Sequence, residues 1–212
     1  MYAQRAFQCV DETAALALAR NYNFAALLTP SRSLISHLPV MIDNEWRVIR
    51  GHLARANPHA AEIDGASHTL IFTGPNAYVS PDWYGPNSPD VPTWNYAVAH
   101  LSGVGKVIDD RDAVIALLTD LSDQEELRRH DLESGKIWTV AKMPEGKLEA
   151  MTHGIVAFEI SIDKVEAVMK LSQNKPPEAV SKVAGALTHG NEAQRAVAAL
   201  MRAQGPERNA KS

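Results

Sequence analysis

The sequence predicts a mainly-β fold with peripheral helices, an α+β architecture arranged as a small barrel. Six or seven apolar or alternating segments follow one another with few helical interruptions. Helical patterns gather instead near the C-terminal end, and the strands do not alternate with helices as a doubly wound parallel sheet requires. Neither a Gly-x-Gly-x-x-Gly fingerprint nor a phosphate-loop spacing occurs in the 212 residues.

Each element has its local reasons. Asp11 is a good N-cap for a helix over residues 12–20, alanine-rich with acid early and base late. Residues 24–29 read as a buried strand that Pro30 stops. A second strand spans 34–42, and Pro39 inside it favours an edge or a bulge. Asp43-Asn44 makes a tight turn into a third strand at 46–52, so the two form a hairpin. A short helical turn begins at Pro58. Residues 69–72 and 77–80 then read as strands punctuated by Gly74-Pro75-Asn76. The loop over 81–92 carries four prolines. A loop of that length is functional or disordered, and Trp83 and Tyr84 argue for order. A long strand at 94–108 is expected to break or bulge at Gly103-Val104-Gly105. A helix over 109–121 places Val114, Leu117, Leu118 and Leu121 on one face. Residues 154–162 alternate as a strand, with strand character resuming toward 169–171. Helices at 176–187 and 191–203 precede a polar tail. The expected division is a barrel domain over residues 1–174 and a helical extension with tail over 175–212.

Composition narrows the function. With 45% hydrophobic and 22% charged residues, a packed core is feasible. The formal net charge of −4 offers no general attraction to nucleic acid or to an anionic membrane face. Cys9 is the single cysteine, which excludes an intrachain disulfide and fits a reducing compartment. No apolar run is long enough to span a bilayer, and the first residues lack a secretory leader's apolar stretch. A cytoplasmic protein with no membrane association is expected. His59, His68, His130, His153 and His189 show no metal-binding pairing, so no metal site is expected. No nucleophile elbow and no Ser/His/Asp set stands out, leaving the catalytic residues unknown.

The most informative feature is polarity where strands should be apolar. Residues 91–96 (Val-Pro-Thr-Trp-Asn-Tyr), 51–58 (Gly-His-Leu-Ala-Arg-Ala-Asn-Pro) and 170–174 (Lys-Leu-Ser-Gln-Asn) spend strand or strand-end positions on hydrogen-bonding side chains. Such groups cost free energy when buried unless something bonds them. A polar, phosphate-bearing, ring-containing ligand would be that partner. Together with Phe7, His37-Leu38-Pro39 and residues 72–84, these blocks resemble the PaiB-like FMN-binding proteins over roughly residues 1 to 190. The resemblance implies a flavin-binding split β-barrel, normally a homodimer holding FMN at the subunit interface. It also implies the family's usual label, negative transcriptional regulator.

On that resemblance, Arg55 and Asn57 become a phosphate clamp, guanidinium and amide meeting the anion; the alternative for Arg55 is an ion pair with a surface carboxylate such as Asp64. His52 either bonds the ligand or caps a strand end. Thr93 and Asn95 are expected as direct flavin contacts, with Trp94 as packing. Lys170 and Gln173 would reach the phosphate or the ring edge from the partner subunit, the alternative being a solvated lysine at a turn. His37 is a further candidate contact. Three functions compete: an FMN flavoprotein reacting with NAD(P)H, a regulator of gene expression, and a haem binder. Residues 176–203 mix Lys182, Arg195 and Arg202 with Glu178 and Glu192 and form no basic face, which argues against direct nucleic-acid binding.

Overall fold

The computed structural model describes residues 1–43, 45, 47–85, 88–131, 137–144 and 146–204. The expected turn residue Asn44, Trp46 at the start of the third expected strand, and the polar tail beyond Gln204 lie outside them. Seven strands form one sheet: β1 (Phe24–Thr29), β2 (Leu34–Pro39), β3 (Met41–Asp43), β4 (Val48–Ala54), β5 (Ser67–Val79), β6 (Thr93–Ile108) and β7 (Ile155–Lys170). Their order across the sheet is β2-β1-β5-β6-β7-β4-β3. Five helices accompany them among the described residues: α1 (Glu12–Asn21), α2 (Arg111–Glu126), α3 (Lys147–His153), α4 (Pro177–Thr188) and α5 (Glu192–Gln204). The expected α+β class is therefore correct. No helix among the described residues is long and apolar enough to cross a membrane.

The chain separates into two compact units, and β5, β6 and β7 run through both. The first unit comprises residues 1–21, 73–100 and 166–212. Asp11 caps α1 as expected, its carboxylate accepting from Thr13 N at 3.0 Å. Helices α4 and α5 bury Val183, Ala184 and Leu187 and Val197, Ala198 and Met201, the one-sided spacing of an amphipathic pair. A reciprocal box opens α5: Asn191 Oδ1 accepts from Gln194 N at 3.0 Å, and Gln194 Oε1 accepts from Asn191 N at 2.8 Å.

The second unit comprises residues 22–72 and 101–165. Here β1 pairs antiparallel with β2 and β5, β3 with β4, and β4 with β7. The expected strand over 34–42 is two strands, because Val40 turns its backbone N–H to Asn23 O at 3.0 Å between them. The hairpin is thus made by its second half, β3 with β4, while β2 carries Pro39 at the sheet's outer edge. Asp110 caps α2, accepting from Ala113 N at 2.8 Å. The face predicted for this helix, Val114, Leu117, Leu118 and Leu121, packs with Ala157 on β7.

Neither β5 nor β6 is broken at its glycines, and close packing explains both. β5 passes unbroken through Gly74-Pro75-Asn76, and β6 through Gly103-Val104-Gly105. A Cβ at Gly74 would stand 2.7 Å from Leu18 Cδ1 in the first unit. In the second unit a Cβ at Gly103 would stand 1.7 Å from Ser161 O, and one at Gly105 2.4 Å from Ile63 O. These glycines mark places where another group lies against the strand, not places where the strand ends.

Candidate functional site

In the first unit, the start of β6 and the end of β7 bring three of the expected residues together. A cavity of about 210 Å³ is lined by Thr93, Asn95 and Lys170, along with Phe7, Tyr84 and Ser172. The chain leaves β7 through Ser172 in the left-handed region, φ 62°, an uncommon geometry for a residue with a side chain. That turn directs the Ser172 hydroxyl into a hub. Asn95 Nδ2 donates to Ser172 Oγ at 3.0 Å, and Tyr84 OH lies 3.0 Å from the same oxygen. Asn95 itself is fully buried, and these bonds with Ser172 and with Met201 Sδ at 3.5 Å keep its amide satisfied. Tyr84 reaches the hub from the 3-10 turn Pro81–Tyr84, so the loop begins ordered, as its aromatics indicated. Pro86 and Asn87 of that loop lie outside the described residues.

Lys170 is half-buried at this cavity. Its ammonium donates to Thr93 Oγ1 and sits 5.8 Å from the centroid of the Phe7 ring. Burial pushes it below the usual lysine range, and no carboxylate pairs with it among the described residues. Lys175, on the same cavity, is instead paired with Asp90, which also accepts from Ser88 Oγ at 2.8 Å. The local balance is one cation paired with a carboxylate and one without a carboxylate among the described residues. Gln173 sits differently: Oε1 accepts from Leu171 N at 2.7 Å and Nε2 donates to Met169 O at 2.5 Å, so its amide staples the turn after β7.

The other four expected residues lie in the second unit. Arg55 donates from Nε to His153 O at 2.8 Å and from Nη2 to Ile155 O at 2.6 Å, tying β4 to the junction of α3 and β7. Asp64, its alternative partner, accepts from Val107 N at 3.1 Å instead. Asn57 caps the 3-10 turn Pro58–Glu62, accepting from His59 N at 3.0 Å. His37 is exposed on β2 and stacks on Phe24, ring centroids 6.5 Å apart. His52 is half-buried on β4, and its Nδ1 is buried without a hydrogen-bond partner. Desolvation lowers its pKa from the ordinary 6.5.

A polar chain unmarked in the sequence runs beneath Asn57. His59, His68 and Thr29 are fully buried. Thr29 Oγ1 lies 2.6 Å from His59 Nε2 and 2.7 Å from His68 Nδ1. Its direction follows from one end. His68 Nε2, 2.9 Å from Ile63 O, must donate, so a neutral His68 accepts at Nδ1 from the Thr29 hydroxyl. Thr29 then accepts from His59 Nε2–H. His59 Nδ1 accepts from Ser36 Oγ at 2.9 Å, and Ser36 accepts from Asn57 Nδ2 at 3.1 Å. Every member is satisfied while both imidazoles are neutral. Thr29→Val keeps the shape and strands a donor on His59 and an acceptor on His68. At about 1–3 kcal/mol for each buried group left unpaired, a loss of about 2–6 kcal/mol is expected in urea unfolding. A loss below about 0.5 kcal/mol would show the chain to be energetically idle.

Acid should act on His59 and on two histidines outside this hydrogen-bonded chain. Desolvation first of all holds His52, His59 and His100 below the ordinary 6.5, His68 adding to the effect at His59. Between the lowered folded values and 6.5 the unfolded chain binds more protons. Stability is therefore fully present above about pH 6.5 and falls as pH drops through that interval. Melting temperature is expected to decrease between about pH 7.5 and about pH 5.5. An unchanged or rising value would contradict the neutral assignment.

Residues 1–164 match the family described as "Putative FMN-binding domain". The chain belongs to this family. The split-barrel flavoprotein is also 28% identical over 180 residues to the Bacillus subtilis protein named Protease synthase and sporulation protein PAI 2, covering 82% of this chain and 83% of that protein. Among solved structures it resembles the flavocytochrome Anf3 of Azotobacter vinelandii, with a TM-score of 0.56 and 11% identity over 79% of this chain and 72% of the other. It also resembles the FAD and haem binding protein of Mycobacterium smegmatis, with a TM-score of 0.56 and 17% identity over 77% and 73% of the two chains. At those identities the likeness concerns the fold, and it agrees with the split barrel expected from the sequence. The cofactor that family membership assigns is FMN.

Proposed function

We propose that the flavoprotein holds FMN by its phosphate and ribityl end in the Lys170 cavity, works as a homodimer, and exchanges electrons between NAD(P)H and a small acceptor. The observation that carries this reading is the desolvated ammonium of Lys170, set among the Thr93 hydroxyl, the Asn95 amide and the Ser172 hub, with no counter-charge among the described residues. A phosphate would supply that charge, and charge-assisted bonds are the strong ones. Asn95 and Ser172 fix the polar wall, and Lys175 remains engaged with Asp90.

Size supports the dimer. Sites enclosing a whole drug-sized ligand span about 300–1,000 Å³, whereas this cavity is about 210 Å³. It suits one end of FMN, leaving the flavin ring to be covered from outside the chain. The same unit exposes Trp94 (54%), Tyr78 and Val91, apolar area that a second copy would bury. Gln173 would hold the Lys170 turn rigid. Within the second unit, His52 is proposed as a flavin contact through its unpartnered Nδ1, as are Asn57 and His37, while Arg55 is proposed to hold the strand end through His153 O and Ile155 O.

When bound, FMN supplies the hydride and electron chemistry, and the chain binds and orients it. Direct DNA binding is not part of this reading, and a regulatory role would run through flavin state or a partner. The test is purification without added cofactor, followed by a visible spectrum, light scattering for mass and anaerobic NADPH addition. A flavin spectrum, twice the chain mass and bleaching are expected. A haem spectrum, a monomer that retains FMN, or no bleaching with NADPH or NADH would each remove the corresponding part of the proposal.

A further inference from the structure

The first unit also holds a cavity larger than the one that contains Lys170. It is a cleft of about 700 Å³ bounded by α4, α5 and residues 171–177, well inside the size range of small-molecule sites. All of its lining residues lie beyond residue 164, so the family match does not reach it. Its floor is apolar: Leu171, Pro176, Pro177, Val180 and Met201. Ser181 and Gln204 supply a few polar groups, the usual composition of a ligand pocket.

Its charge is one-sided. Among the described residues, the charged ones on the cleft are Lys175 and Arg202, with no carboxylate among the lining side chains. Lys175 is neutralised by Asp90. Arg202 donates from Nη2 to the Thr188 hydroxyl at 2.7 Å and pairs with no carboxylate among the described residues. An apolar cleft with a guanidinium at its wall that no described carboxylate offsets selects an acidic group on an apolar body. We propose that this cleft is a second ligand site that takes a small amphipathic anion, its acidic head at Arg202 and its flat body over Leu171, Val180 and Met201. The site goes beyond the flavin reading and does not depend on it.

Calorimetry on the full-length chain tests the assignment, with 2-naphthoate as the probe and neutral 2-naphthylmethanol as its uncharged counterpart. Naphthoate is expected to bind once per chain, at least about tenfold more tightly than the alcohol. Arg202→Gln should erase that advantage and leave the alcohol's affinity unchanged. Val180→Trp, or Ser181→Trp if the first variant melts early, should block both probes while FMN still binds. Equal affinities for acid and alcohol, or naphthoate binding indifferent to all three substitutions, would overturn the proposal. So would stoichiometric displacement of naphthoate by FMN, which would make the cleft the flavin site itself. Loss of FMN binding in the unmodified chain, with naphthoate binding intact, would count against the flavin reading alone.

Discussion

Replacing Lys170 with methionine is expected to weaken FMN binding about 10- to 100-fold, the equivalent of losing a charge-assisted bond worth about 1.5–3 kcal/mol. Riboflavin, which lacks the phosphate, should change by less than about threefold. The asymmetry follows from the position of the ammonium. It is half-buried, bonded to the Thr93 hydroxyl and lowered in pKa by desolvation, with no carboxylate among the described residues to offset it. Methionine keeps most of the side chain's volume against Phe7 and removes a charge that the free protein holds at a cost. The variant's thermal stability without FMN should therefore be equal to or above that of the parent. A purely structural lysine gives a different pattern: lower stability, with parallel losses for FMN and riboflavin. Arg55→Ala is the useful contrast, because its guanidinium already serves His153 O and Ile155 O. Losses there should fall on stability first.

Gly103→Ala should be among the most damaging single substitutions in the chain, costing more than about 4 kcal/mol, a range reserved for a few severe mechanisms. The added Cβ would stand 1.7 Å from Ser161 O and 2.8 Å from Ser161 C. Both are backbone atoms of β7, so no rotamer change relieves the clash. β6 would have to move off its neighbour. Gly185→Ala is expected to act with the opposite sign. Nothing lies within 4 Å of the added carbon. The residue is inside α4, where alanine is favoured over glycine by about 1 kcal/mol. Urea unfolding of the two variants gives the comparison. A Gly103→Ala protein within about 1 kcal/mol of the parent would show that the strands are not packed as described.

Those glycines also show where sequence reasoning reached its limit. Periodicity located β1, the apolar face of α2 and both C-terminal helices to within a residue or so, because each rests on local spacing and caps. It divided β5 at Gly74-Pro75-Asn76 and expected a break or bulge in β6 near Gly103-Val104-Gly105. Glycine in a strand reads as punctuation unless the atom lying against it is known, and that atom belongs to a distant segment. Alternation placed a strand over 154–162 with strand character resuming toward 169–171, whereas one strand runs continuously over Ile155–Lys170. Helix α3 carried no recognised signal.

The candidate site was legible in part for the same reason. Thr93, Asn95 and Lys170 were conspicuous as polar residues on strands, and they line one cavity. Ser172, its hub, acquires that role from a left-handed backbone that no local rule assigns to serine. The carbonyls that occupy Arg55 belong to His153 and Ile155, about a hundred positions away, so the sequence offered only a clamp or a surface ion pair. The buried His59–Thr29–His68 chain was invisible because each histidine, read singly, lacks a partner.

The central claim is that an anionic flavin end completes the Lys170 cavity, and equilibrium titration of flavin fluorescence with the unmodified protein tests it most directly. FMN fluorescence should change on addition of micromolar protein, saturate at one flavin per chain, and report an affinity at least about tenfold above that for riboflavin. FMN fluorescence that stays constant, or equal affinities for the two flavins, would contradict it.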